Sequence, residues 1–513
     1  MRYPLFGILG FAVIFAVCSC TVTPPSQDDE SSSTSDSEGK ENNSKSKDDK
    51  KKQSSHSEEE SEEDCEGESG EPWDGTTAKE FACGAGTKLS PYIIKTAEQL
   101  AHLSFVVNAN EKDYQGKYYK LGADIKLNKG NVIDKKGALV GDSAKLHKWT
   151  PIGNSSVPFT GNFDGDGYTI SGMFINTTST HNGLFGNSSG TVQNLTIENS
   201  WVKGGKFTGG FIGNISDAAV LRNAVNKASI VGMGDAVGGA IGNYQGCYRN
   251  SGKIENVENQ GVVTAVNYVG GIIGSACYIE ISDVKNSAEI SGNSKIGGIA
   301  GNLQINTIIT NAENFGKIIG KDQTAGIVGF FGYLYGTNFD YGKMKNVKNW
   351  GAVEGEKYTA GIIGKNGGTV NNNLANDGNV VGTDYTAGLI AYAKKSTTES
   401  AYNTGDIFGS VYVGGIAGDN EEGVTSSAYS TGKVDGDSLV GLMIGYNYNT
   451  TMADYYYLKR DEQEPFGLNN GGGVATPKTS KEMKSENFAE LLGDEFVYDS
   501  DLNGGYPVFN WEE

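Results

Sequence analysis

The sequence predicts an all-β fold, a right-handed parallel β-helix (β-solenoid) with short helical caps at both ends. A Gly-apolar-apolar-Gly motif recurs about ten times between Gly183 and Gly445, at a spacing of roughly 27 to 35 residues. Each unit also contains a β-branched residue, with asparagine four positions before it. If each unit forms one coil, equivalent residues stack roughly 4.8 Å apart, the spacing of paired strands. We expect about ten to thirteen coils.

The β-branched position is the strongest evidence for strands. Valine and isoleucine suit a pleated, buried strand, whereas the residues before them share no chemistry and are expected to face solvent. The glycines of the motif suit tight corners. The β-branched column consists of Val202, Ile230, Val263, Ile290, Ile318, Val353, Val380, Ile407 and Val434.

The asparagine column has a structural interpretation. Amides stacked at the strand spacing hydrogen-bond along the column, and they satisfy backbone groups buried at a turn. We therefore interpret the column as a ladder rather than a ligand site. It consists of Asn226, Asn259, Asn286, Asn314, Asn349, Asn376 and Asn403, followed by Ser430.

Composition restricts the domain count and the partners. The chain has 513 residues, 74 of them glycine, and the internal period favours one repetitive body over several separate domains. Its formal net charge of -20 disfavours nucleic acid, because phosphate contacts need clustered cations. We expect a monomer with no cofactor.

The N-terminus has the features of an export signal. Residues 1–19 contain Arg2 and an apolar run, which indicate a signal peptide. The sequence Val17-Cys18-Ser19-Cys20 resembles a bacterial lipoprotein signal, which implies lipidation at Cys20 and a membrane partner. Thr21 then favours the outer membrane, with the protein facing the cell exterior. The alternative is an ordinary signal peptide with two incidental cysteines.

Three further regions follow the signal. Residues 20–71 are rich in Ser and acidic residues and nearly free of apolar ones, so we expect a disordered tether. Residues 72–181 are predicted to form the N-terminal cap and first irregular coils, 182–445 the repeats, and 446–513 a C-terminal cap. Capping boxes, Thr96 with Gln99 and Thr479 with Glu482, predict a helix in each cap.

Four cysteines are disulfide candidates in an exported chain. Cys65 and Cys83 flank the start of the predicted folded part, whereas Cys247 and Cys277 are about one repeat apart. Adjacent coils place the latter pair near the α-carbon separation that a disulfide accepts. Zinc binding is the alternative.

Aromatic residues are the best candidates for ligand contacts. Rings that recur on a rigid face could stack on sugars or fill a partner surface, and the alternative is that they shield the corner or pack inside. These residues shortly precede the Gly-Gly corner of their coils, and they are Tyr268, Tyr358, Tyr385 and Tyr412.

Metal and catalytic signals are weak. Two Asp-rich stretches suit either calcium or ordinary turns, but an EF-hand-type loop needs Glu where the second stretch has Asn510, so we expect no metal. The calcium candidates are Asp164, Asp166, Asp499, Asp501 and Asn503. No carboxylate pair is evident on one face, so we expect no enzymatic activity. A polysaccharide lyase or hydrolase on a β-helix scaffold is the alternative.

The repeats resemble a known family. The Gly-apolar-apolar-Gly motifs, the Asn-x-x-Asn units, and the stretch from Phe163 to Ile170 resemble GLUG-motif surface proteins over about residues 90–511. Similar repeats occur in IgA-specific metallopeptidases, but their His-Glu-x-x-His is absent. The resemblance implies a parallel β-helix on the bacterial surface, usually without an assigned biochemical activity. We expect a non-catalytic surface lipoprotein for adhesion or display, with a polysaccharide or a surface protein as candidate partner. The four histidines are His56, His102, His147 and His181.

Overall fold

The chain winds as a parallel β-solenoid in the computed structural model, which describes residues 65, 70–244, 252–333, 342–460 and 462–513. A regular coil passes through four sheets in turn, and its strands pair in parallel with the equivalent strands of the coils before and after it. The all-β parallel solenoid that the repeat predicts is confirmed.

Several predicted features lie outside the described residues. These are the signal peptide over 1–19, the lipidation site Cys20, nearly all of the tether over 20–71, and Cys247.

Sheets 1 and 2 hold the longer strands. The 16 strands of sheet 1 are Tyr92–Ile94, Tyr118–Leu121, Ile125–Lys126, Asn162–Asp164, Thr169–Ser171, Thr191–Glu198, Val220–Asn226, Gly252–Asn259, Ile279–Asn286, Ile308–Asn314, Lys343–Asn349, Val370–Asn376, Thr397–Asn403, Val424–Ser430, Thr451–Leu458 and Ala475–Lys478. The 11 strands of sheet 2 are Phe185–Ser188, Ile212–Ile215, Ile241–Tyr244, Ile273–Ala276, Ala300–Leu303, Val328–Gly332, Ile363–Gly367, Ile390–Lys394, Ala417–Glu421, Ile444–Tyr448 and Phe466–Asn470.

Sheets 3 and 4 are built from short strands. The 10 strands of sheet 3 are Phe174–Asn176, Trp201–Gly204, Ser229–Gly232, Val263–Thr264, Ile290–Ser291, Ile318–Ile319, Val353–Glu354, Val380–Val381, Ile407–Phe408 and Val434–Asp435. The 8 strands of sheet 4 are Asp235–Gly238, Asn267–Gly270, Ser294–Gly297, Asp322–Ala325, Lys357–Ala360, Asp384–Ala387, Val411–Gly414 and Ser438–Gly441.

The β-branched column forms one wall of the core. Each member is fully buried on sheet 3 and pairs in register with the next, as Ile290 does with Val263 and Ile318. Strands this short are held by their stacked aliphatic side chains as well as by backbone hydrogen bonds. The column therefore fixes the register of successive coils.

The asparagine column links successive coils through side-chain hydrogen bonds. Asn314 Nδ2 donates to Asn349 Oδ1 at 2.8 Å and to the Gly316 carbonyl at 2.9 Å. The same two bonds recur at every rung from Asn226 to Asn376, and each rung is fully buried. The ladder thus supplies a hydrogen-bond donor to a buried backbone carbonyl at the corner after sheet 1 in each of these coils.

Each ladder residue also contacts the glycine corner of its own coil. A Cβ on Gly298, at the corner between sheets 4 and 2, would lie 2.5 Å from Asn314 Oδ1 and 2.1 Å from the Gly326 carbonyl. Side chains do not pack at such distances, so only glycine allows the amide to reach across the coil interior. The glycine motif and the asparagine column therefore pack against each other and depend on each other.

Helix α1, Ala97–Asn108, begins at the Thr96–Gln99 capping box and packs into the first coils through Leu100 and Leu103. Four 3-10 turns lie at Lys112–Tyr114, Ser143–Lys145, Asn503–Gly505 and Asn510–Glu512.

The C-terminal region differs from the predicted cap over 446–513. Residues 446–478 continue the coils, and only 479–513 leave them, as helices α2 (Ser480–Met483) and α3 (Glu486–Leu492) with the antiparallel strands Phe496–Val497 and Val508–Phe509. This C-terminal segment packs against the outer face of sheet 1. The reason is an apolar column on that face, formed by Ala375, Tyr402 and Tyr429.

Candidate functional site

The four predicted tyrosines lie in one column on sheet 4, at half-buried positions. Three of them are in successive coils and contact one another. The Tyr358 and Tyr385 ring centroids are 4.7 Å apart, and those of Tyr385 and Tyr412 are 4.5 Å apart with the planes inclined by 3°. Tyr268 is separate, because Lys295 and Gln323 occupy the column between it and Tyr358.

A second column on sheet 2 lies beside the tyrosines. Its residues Phe330, Lys365, Tyr392, Asp419 and Tyr446 pair in register. The two columns interlock: Tyr392 makes edge contacts with Tyr358 and Tyr385, and Tyr446 with Tyr412. We call the combined surface the tyrosine face. It consists of Tyr268, Lys295, Phe330, Tyr358, Lys365, Tyr385, Tyr392, Tyr412, Asp419 and Tyr446.

Lysines cover the N-terminal half of this face. Lys295 Nζ lies 4.9 Å from the Tyr268 ring centroid and 4.4 Å from that of Phe330. Lys365 Nζ lies 4.3 Å from the Tyr358 centroid. Burial lowers the pKa of both Lys295 and Lys365, because the ammonium group loses water. The aromatic rings supply cation-π contacts in place of that water.

A buried carboxyl group lies in the C-terminal half. The Asp419 side chain is only 4% exposed, and its Oδ1 atom has no hydrogen-bond partner among the described residues. Burial, reinforced by the nearby Glu421 carboxylate, raises the pKa of Asp419 to about 7. Burial and the adjoining tyrosines raise the pKa of Tyr385 to about 12, so its hydroxyl stays protonated at neutral pH.

The geometry restricts how these tyrosines contact a ligand. The rings of Tyr358, Tyr385 and Tyr412 cover one another's faces, which leaves ring edges and hydroxyl groups for external contacts. All three have φ between 54° and 58°, the left-handed region. The ladder and the glycine corners hold the surrounding backbone, so the positions of these side chains are fixed by the coil.

The sheet 2 column was missed by the sequence prediction. Its members directly follow the closing residue of each glycine motif, as Lys365 follows Gly364 and Asp419 follows Gly418. In earlier coils that position is polar, with Asn214 donating to Asn187 at 3.0 Å and Asn243 to Asn214 at 2.8 Å. Aligning this position would have revealed the change from amides to aromatic and charged residues.

The calcium candidates have protein partners. Asp164 accepts two side-chain amides and one backbone N–H, and Asp166 pairs with Lys120 at 3.0 Å. Asp499 accepts the Asp501 N–H, and Asn503 donates to the Tyr429 hydroxyl group. Across the described ranges, no group of three or more His, Cys, Asp or Glu is placed to hold a metal.

The cysteines fall into two cases. Cys65 and Cys83 form a disulfide with an α-carbon separation of 5.3 Å. Cys277 is also disulfide-bonded, and Cys247, the partner that the repeat spacing predicts, lies outside the described residues.

Fold and site together define a parallel β-solenoid with an aromatic outer face. Parts of its sequence are similar to curated proteins. Over 185 residues, 33% of the chain, it is 32% identical to halomucin from Haloquadratum walsbyi, and this match covers 2% of halomucin. Over 125 residues, 24% of the chain, it is 37% identical to a protein described as a Gly-rich membrane protein from Evansella cellulosilytica, of which 12% is covered. The chain thus spans a small part of either relative.

A solved structure matches a larger share of the chain, but at lower sequence identity. It is a candidate immunoglobulin A1 protease from Bacteroides ovatus, with 16% identity and a TM-score of 0.38 over 84% of this chain and 96% of that one. No family model matches the sequence. Within the described part of the chain, no helix has the length and apolar character needed to cross a membrane.

Proposed function

We propose that this chain is a non-catalytic binding module displayed on a bacterial surface, and that it recognises a partner protein through the tyrosine face. The observation that carries the proposal is the contact series of Tyr358, Tyr385 and Tyr412, half-buried on a preorganised backbone. Tyrosine is enriched at binding hot spots because it contributes large contact area and a hydroxyl group at low entropic cost.

Ring orientation favours a protein over a glycan at this face. Sugars stack on open ring faces, whereas these rings cover one another at 4.5 to 4.7 Å. The exposed edges and hydroxyl groups, with the ammonium groups of Lys357 and Lys365 beside them, suit backbone carbonyls and carboxylates on a protein surface.

Display at the surface rests on the N-terminal sequence. Lipid on Cys20 would anchor the chain to the outer membrane, and the acidic tether over 20–71 would extend the solenoid outward. The resemblance of the repeats to GLUG-motif surface proteins supports this location. So do the names of two relatives, halomucin and a Gly-rich membrane protein.

An array of matrix proteins, bacterial surface proteins and glycans tests the proposal. The full-length protein is compared with a Tyr358→Asn/Tyr385→Asn/Tyr412→Asn variant, because asparagine tolerates a positive φ and so preserves the backbone. The control is Tyr498→Asn, since Tyr498 is 37% exposed on the C-terminal segment.

We expect saturable binding to a protein on the array, weakened at least about tenfold by the triple substitution and unchanged by the control. Equal binding by the triple variant, or binding to glycans alone, would refute the assignment.

One observation supports the alternative, a carbohydrate-active enzyme. The Asp419 carboxyl group has a pKa of about 7, and Glu421 lies two residues further along the same strand. In a glycosidase, Asp419 would serve as the general acid and Glu421 as the second carboxylate. New reducing ends released from a polysaccharide panel, and lost in Asp419→Asn, would favour it over the binding module.

A further inference from the structure

A cavity of about 480 Å³ lies where the C-terminal segment meets the outer face of sheet 1. It is distant in the fold from the tyrosine face, which is built on sheets 2 and 4. Trp350 from the solenoid and Trp511 from the segment both line it. The remaining lining is mostly side-chain amides, carboxylates and two lysines. Such a volume accommodates one or two sugar rings.

The two tryptophans give the cavity an aromatic lining. Trp350 is 45% exposed, and it lies parallel to Phe315 with their centroids 6.0 Å apart. Trp511 Nε1 is buried and has no hydrogen-bond partner among the described residues. Because that nitrogen has almost no exposed surface, Trp511 contributes ring area to the lining, and Trp350 is the indole that a ligand reaches most readily.

The segment is held firmly at this place by a buried ammonium group. Lys348 is 2% exposed and pairs with Asp377 at 2.8 Å and with Glu512 of the segment. Its Nζ atom also lies 3.7 Å from the Trp350 ring centroid. Removing one partner of such a buried pair is costly, so the wall of the cavity is fixed relative to the sheet.

The polar groups of the cavity select against anionic ligands. Lys285 pairs with Glu313 at 2.9 Å, and Lys348 pairs with Asp377, so the ammonium groups of both lining lysines already form ion pairs within the protein. Asp283 accepts an amide N–H from Asn311 at 2.9 Å. With four carboxylates against two ammonium groups in the lining, the local charge repels a uronate or a sulfated sugar.

We propose that this cavity is a second binding site, for one or two units of a neutral, hydroxyl-rich sugar. The indoles provide apolar contact area. The amides and carboxylates provide donors and acceptors matched to sugar hydroxyl groups. The site is separate from the protein-binding role of the tyrosine face.

Calorimetric titration of the full-length protein tests this site. The probes are glucose, galactose, mannose, N-acetylglucosamine and their disaccharides, with glucuronic and galacturonic acids as anionic counterparts. Trp350→Ala removes the exposed indole, Trp350→Phe keeps a smaller ring in its place, and Phe105→Ala is a control because Phe105 is 59% exposed on helix α1.

We expect at least one neutral sugar to bind with a Kd below about 10 mM, about fivefold weaker in Trp350→Ala and unchanged in Phe105→Ala. No binding by any neutral probe, tighter binding of the uronates, or wild-type affinity in Trp350→Ala each overturns the proposal. Thermal melts show whether Trp350→Ala is folded, and if it is not, Trp350→Phe decides, with weaker binding than wild type expected. The tyrosine triple variant should retain sugar binding, so failure of one site is distinguishable from failure of the other.

Discussion

Replacing Asn314 with alanine removes one rung from the middle of the buried ladder. The side chain donates to Asn349 Oδ1 and to the Gly316 carbonyl, and it accepts from Asn286 Nδ2. Alanine leaves the first two acceptors buried without a donor. Asn286 loses less, because its Nδ2 still donates to the Ala288 carbonyl at 2.9 Å.

The expected loss of unfolding free energy follows from those contacts. Each buried polar group left unpaired costs about 1 to 3 kcal/mol and a lost hydrogen bond about 1 kcal/mol, so two such acceptors and one lost bond amount to about 3 to 7 kcal/mol. Asn311→Ala is the matched control, since Asn311 is on the exposed column three residues earlier and hydrogen-bonds to Asp283 in solvent. Alanine in the left-handed region, at the φ of 54° that Asn311 adopts, adds a cost of about 1 to 2 kcal/mol in the control.

Guanidinium titration of both variants measures the difference. Hydrogen exchange of residues 308–330 reports on the same coil, because a solenoid can lose coils locally before it unfolds as a whole. A loss below about 1 kcal/mol in Asn314→Ala, or a loss equal to that of Asn311→Ala, would falsify the ladder as a source of stability.

Three further predictions concern other parts of the framework. Gly326→Ala should destabilise the fold by several kcal/mol or prevent expression, because the added Cβ would lie 2.3 Å from Asn349 Cγ; circular dichroism melts check this. The folded-state pKa of Asp419 is raised to about 7, so wild-type stability should fall as pH rises from about 4 to 7, whereas Asp419→Asn lacks this loss and should be more stable at pH 8 by up to about 4 kcal/mol. If the stability of Asp419→Asn changed with pH as the wild type does, Asp419 would not be the cause of the wild-type pH dependence. Removing the Cys65–Cys83 disulfide, which spans 18 residues, in a Cys65→Ser/Cys83→Ser variant should cost up to about 3 kcal/mol, and a melt equal to wild type would show that the bond does not contribute.

The architecture could be predicted because its signals are local and repeated. Val263, Ile290 and Ile318 share a position in each unit, and stacking coils in register is the arrangement that buries all of them together. The contact between ladder asparagines and glycine corners could not be inferred, since the two lie on opposite sides of a coil. Which corner an amide reaches depends on the cross-section of the coil.

The C-terminal segment shows where sequence patterns stop being informative. Tyr402 and Glu512 are hydrogen-bonded across 110 positions, and Lys348 and Glu512 across 164. The capping box at Thr479 predicts a helix start, which the structure shows, but it contains no information on the surface that the helix covers. Tyr402 and Tyr429 occupy the outward face of a strand, where a tyrosine is equally compatible with solvent.

The tyrosine face was predictable in part. Tyr358, Tyr385 and Tyr412 share a position relative to the glycine corner, so their alignment in one column follows from the repeat. That their rings cover one another depends on side-chain rotamers. The exposed edges, rather than open ring faces, therefore emerge only from the structure.

Hydrogen exchange on the full-length protein, with and without its bound partner from the array, tests the binding role of the tyrosine face most directly. Protection should rise in residues 357–367, 384–394, 411–421 and 444–448, the strands that carry the face. Protection that appears instead on the sheet 3 strands, or a uniform pattern that leaves these four stretches unchanged, would place the interaction elsewhere and contradict the account.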